Sequence, residues 1–216
     1  MNTQEIVAKL EQFGVVPVIA IESVEHALPL ADALIEGGLP LAEITFRTKA
    51  AGEVISLISK QRPELMVGAG TVLNEGDLLK AKDAGSTFAV APGLNPDIVA
   101  KSQEIGLPFC PGIVTPSELE KGLSMGLTFF KYFPAEASGG VKMISSVAAP
   151  YNHLGVRFMP TGGVTMNNLA DYLGVKSIAA AGGTWIAKKD MIAAEQWDAI
   201  RDNAKAAVEA VAKIRG

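Results

Sequence analysis

The chain has 216 residues, a net charge of −4 and an isoelectric point near 5.3, with 49% hydrophobic and 19% charged residues. This composition excludes a disordered chain, and the lack of a concentrated basic segment argues against a nucleic-acid-binding protein. One cysteine and two histidines cannot form an intrachain disulfide or a zinc-type cluster of nitrogen and sulfur ligands.

The N-terminal segment lacks the basic and apolar regions of a signal peptide. No apolar stretch approaches the roughly 18 residues that a membrane span needs. A single cysteine also suits a reducing compartment. We therefore expect a cytoplasmic protein with no membrane partner, no nucleic-acid partner and no metal site.

Short, near-continuous apolar runs recur along the chain, and mixed segments separate them. Such runs predict parallel strands that are covered on both faces, while the spacing of apolar residues and the closing glycines of several mixed segments predict helices. In chain order we predict helix Thr3–Phe13, strand Val15–Ile21, helix Ser23–Glu36, strands Leu41–Phe46 and Met66–Val72, helix Asn74–Ala84, strands Phe88–Ala91 and Pro108–Val114, helix Pro116–Met125, strands Phe129–Phe133 and Val156–Pro160, helix Met166–Leu173, strand Ser177–Ala181 and helix Ala194–Ile214.

Eight strands that alternate with helices predict a compact (β/α)8 TIM barrel, a single domain over residues 1–216 with an N-terminal helix. The alternative is an open doubly wound sheet. That fold usually has a glycine-rich loop after its first strand, whereas here the strand ends in Ala20-Ile21-Glu22-Ser23. In a barrel the chemistry lies at the carboxyl ends of the strands.

Lys131 is the only lysine within the eight predicted strands. Side chains alternate along a strand, so Phe129, Lys131 and Phe133 share one face. The barrel interior near its open end suits the ammonium better than the apolar side that faces the helices. A lysine amine that is neutral part of the time forms Schiff bases with ketones, and burial among aromatic rings favours that neutral form. The alternative is a structural ion-pair lysine.

Glu43 and Arg47 lie on one face of the second predicted strand, together with Thr45. Buried carboxylates are rare unless they are paired or functional. Glu43 therefore predicts a proton shuttle, or a core salt bridge with Arg47 or Lys131. Arg47, at the strand end, has the planar guanidinium that grips a carboxylate with two hydrogen bonds.

Weaker signals follow other predicted strands. Thr71 lies at the end of the third strand, after two glycines, Gly68 and Gly70, that leave room for a substrate. Pro92 follows the fourth strand, where it either shapes the mouth or only stops the strand. Two glycine pairs, Gly162-Gly163 and Gly182-Gly183, follow the last two strands. Loops in these positions form the usual phosphate site of a barrel.

Several other residues that could suggest a catalytic role are expected to be structural. Cys110 lies in an apolar run and is expected to be a small buried filler, and Trp185 and Trp197 are expected to pack. His153 and Arg157 precede or begin the seventh strand, so we place them at the opposite end of the barrel.

At this point the sequence resembles the bacterial 2-dehydro-3-deoxy-phosphogluconate (KDPG) aldolase / 4-hydroxy-2-oxoglutarate (KHG) aldolase family. The matching motifs run in order along almost the whole chain. They are Pro17-Val18-Ile19, Glu43-Ile44-Thr45-Phe46-Arg47-Thr48, Gly68-Ala69-Gly70-Thr71-Val72, Pro92-Gly93-Leu94, Lys131-Tyr132-Phe133-Pro134-Ala135-Glu136, Gly139-Gly140-Val141-Lys142, Pro160-Thr161-Gly162-Gly163 and Gly182-Gly183-Thr184-Trp185.

The resemblance implies a metal-independent, cofactor-free Schiff-base lyase of carbohydrate metabolism, in the Entner-Doudoroff pathway, built as a homotrimeric barrel. It would cleave KDPG to pyruvate and glyceraldehyde 3-phosphate, with KHG as a second substrate that gives pyruvate and glyoxylate. The implied roles are the Schiff-base lysine, the acid/base, the carboxylate contacts, the pocket walls and the phosphate site. Lys131 would be the Schiff-base lysine and Glu43 the acid/base. Arg47 and Thr71 would contact the carboxylate, and Pro92 and Phe133 would form pocket walls. The phosphate site would consist of Gly162, Gly163, Gly183 and Thr184.

Two positions depart from the family pattern. Thr184 stands where serine is common, which adds a methyl group at the distal end of the pocket, and Tyr132 stands where phenylalanine is common. Alternatives to a KDPG aldolase are an aldolase for the galactonate epimer or another 2-keto acid, a phosphosugar isomerase that uses Lys131 only as a charge, and a non-catalytic anion-binding barrel.

Overall fold

The computed structural model describes all 216 residues as an α/β fold of parallel strands and surrounding helices. The strands are β1 Val15–Ile19, β2 Leu41–Thr45, β3 Met66–Gly70, β4 Phe88–Val90, β5 Phe109–Cys110, β6 Gly112–Ile113, β7 Phe129–Tyr132, β8 Arg157–Pro160 and β9 Ala181–Gly183. The α-helices are α1 Thr3–Phe13, α2 Ala27–Glu36, α3 Ala51–Gln61, α4 Glu75–Asp83, α5 Pro96–Glu104, α6 Pro116–Ser124, α7 Gly140–Ala148, α8 Leu169–Leu173, α9 Lys189–Ala193 and α10 Trp197–Arg215.

The strands form two parallel sheets. Six strands follow the order β5-β4-β3-β2-β1-β9, and three follow the order β6-β7-β8. All of the pairings are parallel, as the near-continuous apolar runs predicted. Because every strand points the same way, their carboxyl ends meet on one side of the molecule.

Contacts also link the two sheets. Pro111, which has no N–H to donate, separates β5 from β6, so the predicted strand Pro108–Val114 is two short strands in different sheets. The Pro111 carbonyl accepts a hydrogen bond from the Lys131 N–H at 2.9 Å. On the other side, isolated parallel bridges join β8 to the β9 region at Phe158–Ile178 and Thr161–Gly182.

Most predicted elements form, with shorter ends. The prediction for the last strand was offset, since Ser177–Ala181 contains only an isolated bridge at Ile178 and β9 begins at Ala181. The predicted helix Met166–Leu173 shrinks to Leu169–Leu173, because the preceding residues form turns in which Asn168 accepts from the Thr165 N–H. Helices α3, α5, α7 and α9 were not delimited from the sequence.

Local sequence explains where helices begin. Thr115 caps α6 through a capping box with Glu118, and proline follows at the first position, as the sequence predicted. Asn2 and Glu5 form the same reciprocal pair at α1.

The buried face of α1, Ile6 and Leu10, packs into one hydrophobic cluster of 63 buried residues that extends to Val211 in α10. No helix combines the length and apolarity that crossing a membrane requires.

Candidate active site

A cavity of about 250 Å³ opens around the carboxyl ends of the strands. Its lining contains all ten residues singled out from the sequence, from both the strands and the loops that follow them. These are Glu43, Arg47, Thr71, Pro92, Lys131, Phe133, Gly162, Gly163, Gly183 and Thr184, joined by Val18, Thr45, Thr161 and Val164.

Lys131 and Glu43 form a buried ion pair in this cavity. The Lys131 Nζ lies 3.1 Å from Glu43 Oε1, and the side chains are 6% and 0% exposed. The Lys131 Nζ also lies 5.7 Å from the centroid of the Phe133 ring, close enough for a cation–π attraction. Strand alternation predicted that Lys131 points inward, and the structure confirms this orientation. The ammonium therefore has one carboxylate partner and an aromatic wall.

Glu43 has an acceptor that no protein group uses. Its Oε1 accepts from Lys131, whereas Oε2 is buried without a hydrogen-bond partner. A buried carboxylate oxygen without a donor is costly, and such groups are retained where a ligand or a catalytic proton uses them. Glu43 is therefore placed to take a proton from, or give one to, a molecule in the cavity.

Gly70 makes room for the Glu43 side chain. A Cβ added at Gly70 would lie 2.3 Å from Glu43 Oε1 and 2.9 Å from its Cδ. We therefore expect Gly70→Ala to displace the Glu43 carboxylate and to lower turnover by roughly 10²-fold, because misplacement of a catalytic group by about 1 Å costs that much. Steady-state turnover, with circular dichroism to establish folding, measures the effect.

Gly52→Ala is the matched control, because a Cβ at Gly52 in α3 would meet nothing within 4 Å. Gly52 is the second residue of α3, and alanine is at least as favourable as glycine in a helix, so this variant should keep wild-type activity with equal or greater stability. Full activity in Gly70→Ala would show that the position of Glu43 is not critical.

Arg47 is held at one end of the cavity by Thr45. The Thr45 hydroxyl donates to the Ile19 carbonyl at 2.9 Å and accepts from Arg47 Nε at 3.2 Å. Thr45 is buried and Arg47 is exposed, so a hydroxyl fixed in the protein interior orients the guanidinium at the surface of the cavity. The terminal nitrogens remain available for a carboxylate.

Thr71 has an unusual backbone conformation for its type. Its φ is 59°, in the left-handed region that β-branched residues rarely adopt. Strained residues of this kind cluster at active and ligand-binding sites. The turn brings Thr71 into the cavity lining together with Arg47.

Glycines from the loop after β8 and from the end of β9 form another part of the cavity lining. Gly162 and Gly163 have φ values of 97° and 81°, and a Cβ at Gly183 would lie 1.6 Å from the Trp185 ring. Side chains are thus excluded from these loops, which leaves backbone N–H groups to face a ligand. Thr184 is exposed beside them.

The residues predicted to be structural are placed accordingly. Cys110 is buried, and desolvation raises the pKa of its thiol far above the usual range. Arg157 pairs with Glu11 through two hydrogen bonds, and His153 is exposed before β8. Trp185 and Trp197 pack against the hydrophobic core.

Four lining residues were not among the predicted site residues: Val18, Thr45, Thr161 and Val164. The sequence carried a signal for the two threonines. Thr45 alternates with Glu43 and Arg47 on one strand face, and Thr161 directly precedes Gly162-Gly163. Val18 lies in the matching motif Pro17-Val18-Ile19, whereas no signal distinguished Val164 from other core valines.

Comparison with known proteins gives a consistent result. The family model described as KDPG and KHG aldolase matches residues 6–203. The chain is 46% identical to the 2-dehydro-3-deoxy-phosphogluconate aldolase of Haemophilus influenzae, over 92% of this chain and 93% of the relative. It is also 46% identical to the KHG/KDPG aldolase of Escherichia coli K12, over 90% and 91%.

A solved structure shares the fold closely. KDPG aldolase from Legionella pneumophila, crystallised with pyruvate captured at low pH as a covalent carbinolamine intermediate, superimposes with a TM-score of 0.90. The two sequences are 35% identical, and the match covers 95% of this chain and 98% of that one. Together with the model match and the relatives, this likeness identifies the family. The chain belongs to the KDPG and KHG aldolase family.

Proposed function

We propose that this protein is a class I, Schiff-base aldolase that cleaves KDPG to pyruvate and glyceraldehyde 3-phosphate. The observation that carries the proposal is the buried pair of Lys131 and Glu43, 3.1 Å apart in the cavity. An amine nucleophile beside a carboxylate with an unused oxygen is what Schiff-base chemistry requires. The relatives named as KDPG aldolases, and the carbinolamine captured in one of them, support the same reaction.

Two groups of residues in the cavity lining suit the two ends of this substrate. Arg47, oriented by Thr45, and Thr71 bind the carboxylate of the keto acid. The loops at Gly162-Gly163 and Gly183-Thr184 bind the phosphate through backbone N–H groups and the threonine hydroxyl. Pro92 and Phe133, which also line the cavity, form walls of the pocket.

Bond formation starts at Lys131. Its neutral amine attacks the C2 ketone and gives a carbinolamine, and loss of water yields a protonated imine. Glu43 accepts and returns the protons of these steps, since its Oε1 already contacts the lysine. The positively charged imine then acts as an electron sink next to C3.

Bond cleavage uses the same carboxylate. Glu43 takes the proton of the C4 hydroxyl, the C3–C4 electron pair moves into the imine, and glyceraldehyde 3-phosphate leaves. The resulting enamine takes a proton at C3 from Glu43, and water hydrolyses the imine to pyruvate and free Lys131. One carboxylate suffices, because the proton gained in cleavage is the proton delivered to the enamine.

The same proposal includes a closed (β/α)8 barrel in one domain over residues 1–216. Counting β5 and β6 as one strand interrupted at Pro111, the pairings run from β1 through β8, and the bridges from β8 to the β9 region support closure. The continuous core from Ile6 to Val211 supports a single domain. Eight parallel strands with the site at their carboxyl ends is the arrangement typical of this fold.

A homotrimer in the cytoplasm completes the proposal. Leu73 and Leu79 are large apolar side chains on the surface, 55% and 38% exposed. Apolar surface of this kind is commonly covered in assemblies. The buried, unpaired thiol of Cys110 suits a reducing compartment.

Pyruvate release tests the proposed function. We expect the purified protein to release pyruvate fastest from KDPG, more slowly from KHG, and to keep its rate in the presence of a chelator. A coupled lactate dehydrogenase assay over KDPG, its galactonate epimer and KHG gives the three rates. No pyruvate from any of them would overturn the proposal, and preference for the epimer would correct the substrate.

A further inference from the structure

The loop between β7 and α7 is attached to the glycine loop that follows β8. The Ala135 N–H donates to the Thr161 carbonyl at 2.8 Å, and the Glu136 N–H donates to the Gly162 carbonyl at 3.0 Å. Thus the segment that directly follows Lys131 and Phe133 is joined by its backbone to residues of the proposed phosphate site. Glu136 itself is not part of the cavity lining.

The side chain of Glu136 makes a second attachment. The Tyr172 hydroxyl donates a hydrogen bond to Glu136 Oε1. The Tyr172 ring in α8 is fully buried in the core, so it is a fixed point. Burial first, and the neighbouring Glu136 carboxylate second, raise the pKa of Tyr172, so the hydroxyl keeps its proton and remains a donor.

Two glycines leave space for this arrangement. A Cβ at Gly163 would lie 2.5 Å from Glu136 Cβ and 2.5 Å from its Cγ, so the stem of Glu136 covers the Gly163 backbone. A Cβ at Gly140 would lie 3.2 Å from Glu136 Oε1 and 3.6 Å from the Tyr172 hydroxyl. Glu136 is exposed overall, but its side chain contacts the glycine loop on one side and the tyrosine on the other.

We propose that Glu136, held by Tyr172, is a positioning residue that fixes the Gly162-Gly163 loop and thereby sets the affinity for the phosphorylated end of the substrate. The inference rests on the proposed function, because it assigns the loop to phosphate. Glu136 acts through the loop, since it presents its backbone N–H and its side-chain stem to Gly162 and Gly163. Lys131 and Arg47 lie outside this set of contacts, so imine formation is independent of it.

The test compares a phosphorylated substrate with pyruvate alone. In Tyr172→Phe and Glu136→Ala, we expect KM for KDPG to rise about 3- to 10-fold, the loss that removal of one hydrogen bond produces. The KM for pyruvate in the exchange of its methyl protons with deuterium, followed by NMR, should stay unchanged. Glu136→Gln retains the acceptor for the tyrosine and should restore KM for KDPG to near the wild-type value.

Tyr151→Phe is the matched control. The Tyr151 hydroxyl donates to Glu120 Oε1 at 2.9 Å in a second tyrosine–glutamate pair, within the 3₁₀ helix that precedes β8. This variant should leave both KM values unchanged. An unchanged KM for KDPG in Tyr172→Phe and Glu136→Ala, or an equal loss for pyruvate exchange, would overturn the inference. If the wild-type protein failed to exchange pyruvate protons at all, the proposed function itself would be wrong.

Discussion

Lys131→Arg is expected to abolish aldol cleavage. We expect kcat/KM to fall by roughly 10⁴-fold or more, a large part of the rate acceleration that enzymes typically provide. Arginine keeps a positive charge beside Glu43, but its guanidinium stays protonated and forms no imine. Removal of the charge would be a poorer test, because an unpaired Glu43 carboxylate in the core costs about 3–5 kcal/mol of stability. The arginine variant thus separates covalent chemistry from electrostatics.

Borohydride reduction in the presence of pyruvate provides the direct measurement. Mass spectrometry should find a reduced pyruvate adduct on Lys131 of the wild-type protein and none on Lys131→Arg, with the KDPG cleavage rate lost in parallel. A phosphosugar isomerase that uses Lys131 only as a charge would keep activity in this variant. An adduct on another lysine, or retained cleavage, would therefore contradict the assigned role.

Glu43→Gln is expected to lower kcat by roughly 10²- to 10⁴-fold, the usual contribution of a positioned acid or base. The amide has nearly the same shape and can still accept a hydrogen bond from Lys131, so the cavity should persist. Without the carboxylate, neither removal of the C4 hydroxyl proton nor protonation of the enamine has its catalyst. The Lys131 amine stays in the cavity and can still attack a ketone.

Two readouts distinguish these steps. Borohydride should still trap pyruvate on Lys131 in Glu43→Gln, more slowly than in the wild type because Glu43 also transfers protons during imine formation. The exchange of pyruvate methyl protons should fall together with kcat. Glu11→Gln serves as the control, since Glu11 pairs with Arg157 at 2.6 Å outside the cavity. Proton exchange at the wild-type rate in Glu43→Gln would assign the acid/base role to another group.

The buried pair of Lys131 and Glu43 could be predicted from the sequence because both members lie on strands. The alternation of side chains fixes the face of Lys131 relative to Phe129 and Phe133, and that of Glu43 relative to Arg47. The order of elements then places the two residues and the glycine loops at the same end of the sheet. The alternation of side chains along a strand can be read from the local sequence, without knowing which residues meet in the fold.

Features that depend on exact register could not be predicted. The interruption of the fifth predicted strand at Pro111 follows from which neighbours its two halves meet, and the start of β9 at Ala181 follows from its pairing with Val15. The link from Thr45 to Ile19 and Arg47 depends on hydroxyl geometry across two strands. A sequence pattern does not specify such contacts.

At Thr71 the backbone conformation that would favour thermal stability and the side chain proposed to bind substrate call for different residues. A threonine with φ of 59° holds a conformation that costs about 1–2 kcal/mol, whereas glycine would adopt it freely. A selection for thermal endurance alone should therefore favour glycine at this site and discard the hydroxyl that lines the cavity. Variants engineered for a higher melting temperature by substitutions at or next to Thr71 should therefore also be assayed for activity in each round. Stability and activity are expected to change in opposite directions at this position.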